Sequence, residues 1–239
     1  MAYIDGFVAA VPAANKDAYL QHATQAASLF REFGVIRMVE TWGDEVPDGK
    51  VTDFRGAVQA RPDEVVVFSW FEYPDKPARD AASRKMMEDP RMTEMGASMP
   101  FDGKRLIYGG FAALVDETAG GRGAYVDGFL VPVPAASKDA YRELAQKAAA
   151  VFKEHGATRI VEAWGDDVPE GKITDFRRAV KATDDEKIVY AWIEWPSKAV
   201  RDAGMKKAME DPRMRPDEGT LPFDAQRVVF GGFTTLLDQ

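Results

Sequence analysis

The chain of 239 residues contains no cysteine. That absence excludes disulfides, thiolate nucleophiles and cysteine-built zinc sites, and it fits a reducing compartment. Histidine is nearly missing too, with two residues, His22 and His155. No apolar run approaches the roughly 20 residues that a membrane span needs. The N-terminal MAYIDGF has no basic region, and Asp5 interrupts its apolar stretch, so no signal peptide is legible. The expectation is a cytoplasmic protein with no membrane partner. A basic cluster is lacking as well: net charge is −8, and both halves are acidic. That sign suits phosphate backbones poorly and disfavours nucleic acid as a partner.

What the chain does have is a passage written twice. VETWGDEVPDGKVTDFR, Val39–Arg55, returns as VEAWGDDVPEGKITDFR, Val161–Arg177. A shift of 122 residues aligns the chain on itself without a gap, and more than half of the pairs are identical. The unit is too long for a solenoid repeat and reads as a tandem duplication. The halves are 1–117 and 123–239, with a linker at 118–122 inside the glycine-rich DETAGGRGA. Nine such residues span at most ~30 Å, so the halves can pack side by side.

Each half spells the same elements. YIDGFVAAVP is a strand ending at Pro12. A helix follows, with Asn15 (Ser137 in the second copy) as the expected N-cap. Its apolar stripe is Tyr19, Ala23, Ala26, Phe30 and Phe33, and Gly34 is its stop. Strands are predicted over Met38–Gly43, Thr52–Ala60, Val65–Tyr73 and Arg105–Val115, with a turn at Val46–Gly49. A second helix starts near Asp75 or Lys76 and stops before Pro90. In MEDPRM, Met87 and Met92 are expected to cap the core. Gly109-Gly110 within a strand reads as a bulge or a close approach. The class is α+β: two tandem ferredoxin-like βαββαβ domains. Two helices cover one face of such a sheet. Val65–Tyr73 is apolar on both faces, so the second face must also be buried. The halves are therefore expected to pack sheet to sheet around a barrel-like core.

The stretches YIDGF, VETWGDEVPDGKVTDFR, VFSWFEYP, MEDPRM and PFDGKRLIYGGF resemble the YbaA-like bacterial family, a family of unknown function in the dimeric α/β-barrel superfamily. The resemblance covers nearly all of each half, twice. Members of that family are single-copy and about half this length. The resemblance therefore implies a covalent pseudo-dimer, an intrachain dimeric α/β barrel, with further homo-oligomerisation left open. The superfamily spans cofactor-free monooxygenases, haem-degrading enzymes, dehalogenation enzymes and ligand binders, so it names no reaction. An RNA-related role, attached to some members, finds no support in this acidic sequence.

Period-2 alternation places Met38, Glu40, Trp42 and Asp44 on one strand face, and Ile160, Glu162, Trp164 and Asp166 on its copy. If neighbouring strands add Trp70 and Glu72 with Tyr3, Asp5 and Phe7, each half holds an aromatic concavity with convergent carboxylates. The candidate pocket is then Asp5, Glu40, Trp42, Trp70, Glu72 and Arg105. Its copy is Asp127, Glu162, Trp164, Trp192, Glu194 and Arg227. A carboxylate buried among tryptophans has a raised pKa unless a cation pairs with it, and Arg37, Arg55 and Arg105 are the available cations. Such a group could act as a base. The competing reading makes the same residues a filled core with structural ion pairs. Asp53 with Arg55, and Asp175 with Arg177, read as loop salt bridges. VPDGK lacks the spacing of a phosphate loop. Position 144 is Leu where the first copy has His22, and position 33 is Phe where the second has His155. That disfavours haem and histidine metal sites shared by both halves, so no metal and no cofactor are expected. Two functions stay open: a small-molecule binder or cofactor-independent enzyme of monooxygenase or isomerase type, or a non-catalytic module with a filled barrel.

Overall fold

A computed structural model describes residues 1–215 and 221–239. The first half runs β1 (Tyr3–Pro12), α1 (Lys16–Phe33), β2 (Arg37–Glu45), α2 (Phe54–Ala57), β3 (Glu64–Tyr73), α3 (Lys76–Glu88), α4 (Pro90–Ala97) and β4 (Ile107–Thr118). The second runs β5 (Tyr125–Pro134), α5 (Lys138–Glu154), β6 (Arg159–Asp167), α6 (Phe176–Ala179), β7 (Glu186–Trp195), α7 (Lys198–Glu210) and β8 (Val229–Asp238). Each half is an antiparallel sheet, β4-β1-β3-β2 or β8-β5-β7-β6. β2 pairs with β8 and β4 with β6, so the two sheets join edge to edge into one closed eight-stranded barrel. Closure removes all four sheet edges at once.

The expected burial of both faces of β3 is met in two places. Val66, Phe68 and Trp70 point into the barrel, while Val67, Ser69 and Phe71 point out beneath the helices. The barrel interior is filled with rings. Trp70 and Trp192 stack with centroids 4.4 Å apart, and Phe68 lies parallel to Tyr190 at 4.4 Å. Gly6 makes room for this: a Cβ there would come within 2.8 Å of the Tyr190 ring. Gly109 and Gly110 combine both readings of their strand, since a Cβ on Gly110 would meet the Tyr3 hydroxyl at 2.6 Å and the β4–β6 register shifts just after it.

Four local expectations are corrected. Thr52–Ala60 is not a strand. Asp53 accepts a hydrogen bond from the Gly56 amide at 2.6 Å and caps α2. Phe54, Ala57 and Val58 recur at helical spacing and plug the barrel end, with Phe54 edge-on to Phe233 of the other half at 5.4 Å. The Asp53–Arg55 and Asp175–Arg177 ion pairs do not form. Both aspartates cap short helices, Asp175 also pairing with Arg178 at 3.4 Å. Arg55 and Arg177 donate to backbone carbonyls, those of Arg61 and Thr183 among them, each at 2.8 Å. Asn15 and Ser137 stand at helix starts but make no capping bond, and Asn15 donates instead to the Pro100 carbonyl at 2.8 Å. Finally, Pro90 both ends α3 and begins α4. Met87 is 79% exposed and caps nothing, whereas Met92 packs on the core under the first-half helices. No helix among the described residues is long and apolar enough to cross a membrane.

Candidate functional site

Two cavities with mainly apolar walls lie each between one sheet and its own helices, not inside the ring-filled barrel. In the first half a cavity of about 250 Å³ has its floor on β1, β2 and β3, at Phe7, Glu40 and Ser69. Helix α1 forms one wall, where Ala23 and Ala26 leave space that larger side chains would fill. Met92 and Met95 of α4, with Met99 and Phe101 beyond it, close the opposite side. His22, half-buried on α1, also faces the cavity.

Glu40 is the acidic group in this apolar space, and it is buried. Its Oε2 accepts hydrogen bonds from the Tyr19 hydroxyl and the Ser69 hydroxyl. Among the described residues no cation pairs with it, and its Oε1 receives no protein donor. Burial therefore dominates and pushes its pKa up to about 7, while the two hydroxyl donors pull the other way. Tyr19 is raised well above its ordinary value by burial and by the carboxylate beside it, so it remains a donor. The second half repeats the pair. Glu162 accepts from Tyr141 at 2.7 Å and is likewise pushed up to about 7 by burial. It borders a cavity of about 240 Å³.

The remaining candidates lie elsewhere. Trp42 packs beside Tyr19 with Lys16 over its ring at 5.3 Å, and Trp164 carries Lys138 at 5.2 Å. Trp70, Glu72, Trp192 and Glu194 are inside the barrel. Each indole donates to the carboxylate two residues on, at 3.0 Å. Arg37 reaches Glu194 at 2.8 Å and Asp238 at 2.9 Å, while Arg159 reaches Glu72 at 2.7 Å and Asp116 at 2.8 Å. This network ties the halves together. Asp5 pairs with Arg79 at 2.9 Å, and Arg79 reaches Asp167 of the other half at 2.7 Å. Asp127 pairs with Arg201 at 2.7 Å and accepts from Trp195. Burial raises both aspartates despite their arginines. Arg105 and Arg227 hold Glu64 and Glu186 at 2.6 Å, and hydrogen bonding to the arginine lowers each glutamate to about 2.

Strand register explains the scatter. Glu40 sits opposite Ser69, and Val39 opposite Trp70. The two strands are thus one residue out of phase with a face that would join Glu40 to Trp70 and Glu72. Sequence reasoning missed Tyr19, Ser69, His22, Met95 and Phe101. One signal was available: Tyr19 puts a hydroxyl in an apolar helix stripe, and Tyr141 repeats it. A buried tyrosine hydroxyl needs a partner.

Comparison with known proteins agrees with this architecture. The family described as "Protein of unknown function (DUF1428)" matches residues 2–103 and again residues 124–225. The protein described as "Uncharacterized protein YbaA" from Escherichia coli K12 is 66% identical over 117 residues, which is 49% of this chain and 100% of that protein. The Shigella flexneri protein of the same description matches equally, 66% over 117 residues, 49% of this chain and 100% of its own length. Among solved structures, one described as a candidate monooxygenase from Fusobacterium nucleatum superposes with a TM-score of 0.58 at 9% identity, covering 100% of this chain and 94% of that one. Another so described, from Lactobacillus acidophilus, gives 0.56 at 10% identity, covering 100% and 96%. At such identities the likeness shows the fold alone. The chain belongs to the DUF1428 family, which it carries in two tandem copies.

Proposed function

We propose that this double-copy member of the DUF1428 family binds a small apolar molecule between sheet and helices, with Glu40 meeting the ligand's polar end. One observation carries the reading: a carboxyl group without a cation stands in a cavity whose walls are mostly apolar. A packed core has no use for it, since burying an unpaired carboxylate opposes folding. Apolar walls with one or two placed polar groups are how ligand sites are built. A carboxyl with a pKa near 7 can also take an acidic proton from a bound molecule at neutral pH. That step is shared by isomerisation and by cofactor-independent oxygenation. Solved proteins of similar fold described as candidate monooxygenases are consistent with small-molecule chemistry.

The competing reading, a purely structural barrel, draws on the ring-filled interior. It accounts for Trp70 and Glu72 but leaves Glu40 without a role. A panel of one- and two-ring compounds, screened by thermal shift and native mass spectrometry, tests the proposal. Binders should raise Tm, and Met95→Trp, which fills the cavity, should abolish the effect. If no compound stabilises the protein and Met95→Trp raises Tm by itself, the cavity is only a packing defect.

A further inference from the structure

The halves are copies, but their cavities are not. Ser69, the second donor to Glu40, has Ala191 as its counterpart, so Glu162 keeps one hydroxyl where Glu40 has two. His22 is replaced by Leu144, and Ala9 on the first floor by Val131, which is buried in the second-half core. The first cavity reaches across three strands, whereas the second meets the sheet at Glu162 alone. The closing side differs too. After α7 the chain makes a short 3-10 turn, Pro212–Met214, where the first half builds α4. At the positions of Met95 and Gly96 the second copy has Asp217 and Glu218, which lie outside the described residues.

We propose that the two cavities have parted in function: the first-half cavity takes one aromatic alcohol of one or two rings per chain, and the second-half cavity does not take it. This rests on the ligand-pocket reading above and narrows it. The ligand class follows from the walls. Phe7, Phe30, Phe71 and Phe101 offer ring faces and edges. Met92, Met95 and Met99 offer thioethers, which pack well against aromatic rings. A volume of about 250 Å³ exceeds the roughly 150 Å³ that accepts benzene and falls below the roughly 300 Å³ at which drug-sized sites begin. On the sheet floor the polar end is a single acceptor, with the His22 imidazole on the α1 wall. Both protein hydroxyls arrive at Glu40 Oε2, so Oε1 is left to receive one hydroxyl hydrogen from the ligand.

Calorimetric titration of the full chain with 1-naphthol and with naphthalene at pH 8 tests this. One 1-naphthol should bind per chain, more tightly than naphthalene. Met95→Trp should abolish binding, and Leu144→Trp, which fills the second cavity, should leave it intact. In Glu40→Gln the amide oxygen must stay with the two hydroxyl donors, which turns the NH2 toward the ligand. Affinity for 1-naphthol should then fall about fivefold to tenfold while that for naphthalene holds, and Glu162→Gln should change neither. Two equal sites per chain, or loss on Leu144→Trp with retention on Met95→Trp, would overturn the division of labour while leaving a ligand pocket standing. Equal affinity for both probes, unchanged by Glu40→Gln, would overturn the alcohol assignment. Failure of both probes to bind the wild-type protein would refute the pocket reading and this inference with it.

Discussion

Glu40→Gln also separates the two views of the site through stability. In the folded protein burial pushes the Glu40 pKa up from 4.5 to about 7. A group raised in this way stabilises the fold fully below its unfolded value. That contribution is lost as pH rises through the folded value, because the unfolded chain ionises first. A shift of that size corresponds to about 3 kcal/mol in total, of which roughly 2–3 kcal/mol falls between pH 5 and pH 8. Glutamine does not titrate. The stability of Glu40→Gln relative to wild type should therefore rise by roughly 2–3 kcal/mol across that window. Urea unfolding at unit pH steps, with tryptophan fluorescence as the signal, measures it. Glu64 and Glu186, held at about 2, titrate below the window and do not interfere. Glu162→Gln should behave alike, since Glu162 is raised to the same degree. A variant that tracks wild type at every pH would show Glu40 ionised and solvated. One that loses about 3 kcal/mol or more at pH 8 would reveal a buried cation partner, and either result refutes the reasoning.

Three further outcomes follow from the packing. Gly6→Ala should destabilise by about 1–3 kcal/mol in chemical denaturation, since its Cβ meets the Tyr190 ring at 2.8 Å; Gly128→Ala, with 3.0 Å to Phe68, should lose less. Arg105→Ala should lose about 3 kcal/mol at neutral pH by stranding Glu64. Because Glu64 is lowered from 4.5 to about 2, that penalty should shrink as pH falls from 5 toward 2, which acid unfolding curves can follow. Arg37→Met should destabilise by a similar ~3 kcal/mol, leaving Glu194 only Arg159 at 3.8 Å and Asp238 only the exposed Arg122 at 3.8 Å. A loss below about 1 kcal/mol in urea would show that the network contributes little to joining the halves.

The architecture was legible because it rests on periodicity. A strand apolar on both faces demands cover on both, and the duplication supplies the second cover, so β3 and the repeat together implied two sheets facing each other; the pairing of β2 with β8 and of β4 with β6 that closes them into one barrel was not legible. The site was less legible because it depends on phase between strands. Alternation correctly grouped Glu40 with Trp42 on β2, and Trp70 with Glu72 on β3. Nothing in the sequence said that the two groups face opposite sides of the sheet. Helix α2 was hidden for a related reason: Thr52–Ala60 can be read with a strand period, and the tertiary role of Phe54 as a barrel plug decides otherwise.

The duplication itself sorts residues by what holds them. Five pairs of positions that meet across the barrel match in both copies: Arg37 and Arg159, Trp70 and Trp192, Glu72 and Glu194, Asp44 and Asp166, Arg79 and Arg201, while Phe68 stacks on a Tyr190 that differs from it by one hydroxyl. Each contacts the other half, so a change in one copy would break a bond that the other copy still needs. Cavity positions lie on the outer faces of the sheets, where neither copy touches the other's pocket. There His22 stands against Leu144, Ser69 against Ala191, Ala9 against Val131 and Phe71 against Ile193. Joining two halves in one chain frees these outer positions to differ, which an assembly of two identical chains could not do. Glu40 with Tyr19, and Glu162 with Tyr141, are kept even so, although no contact across the barrel requires them. Packing of the barrel explains the first set of matches. Barrel packing leaves the retained carboxyl–tyrosine pairs unexplained: at Glu40 the polar end of the proposed ligand supplies a reason, whereas Glu162 would need a ligand other than the one proposed for the first cavity.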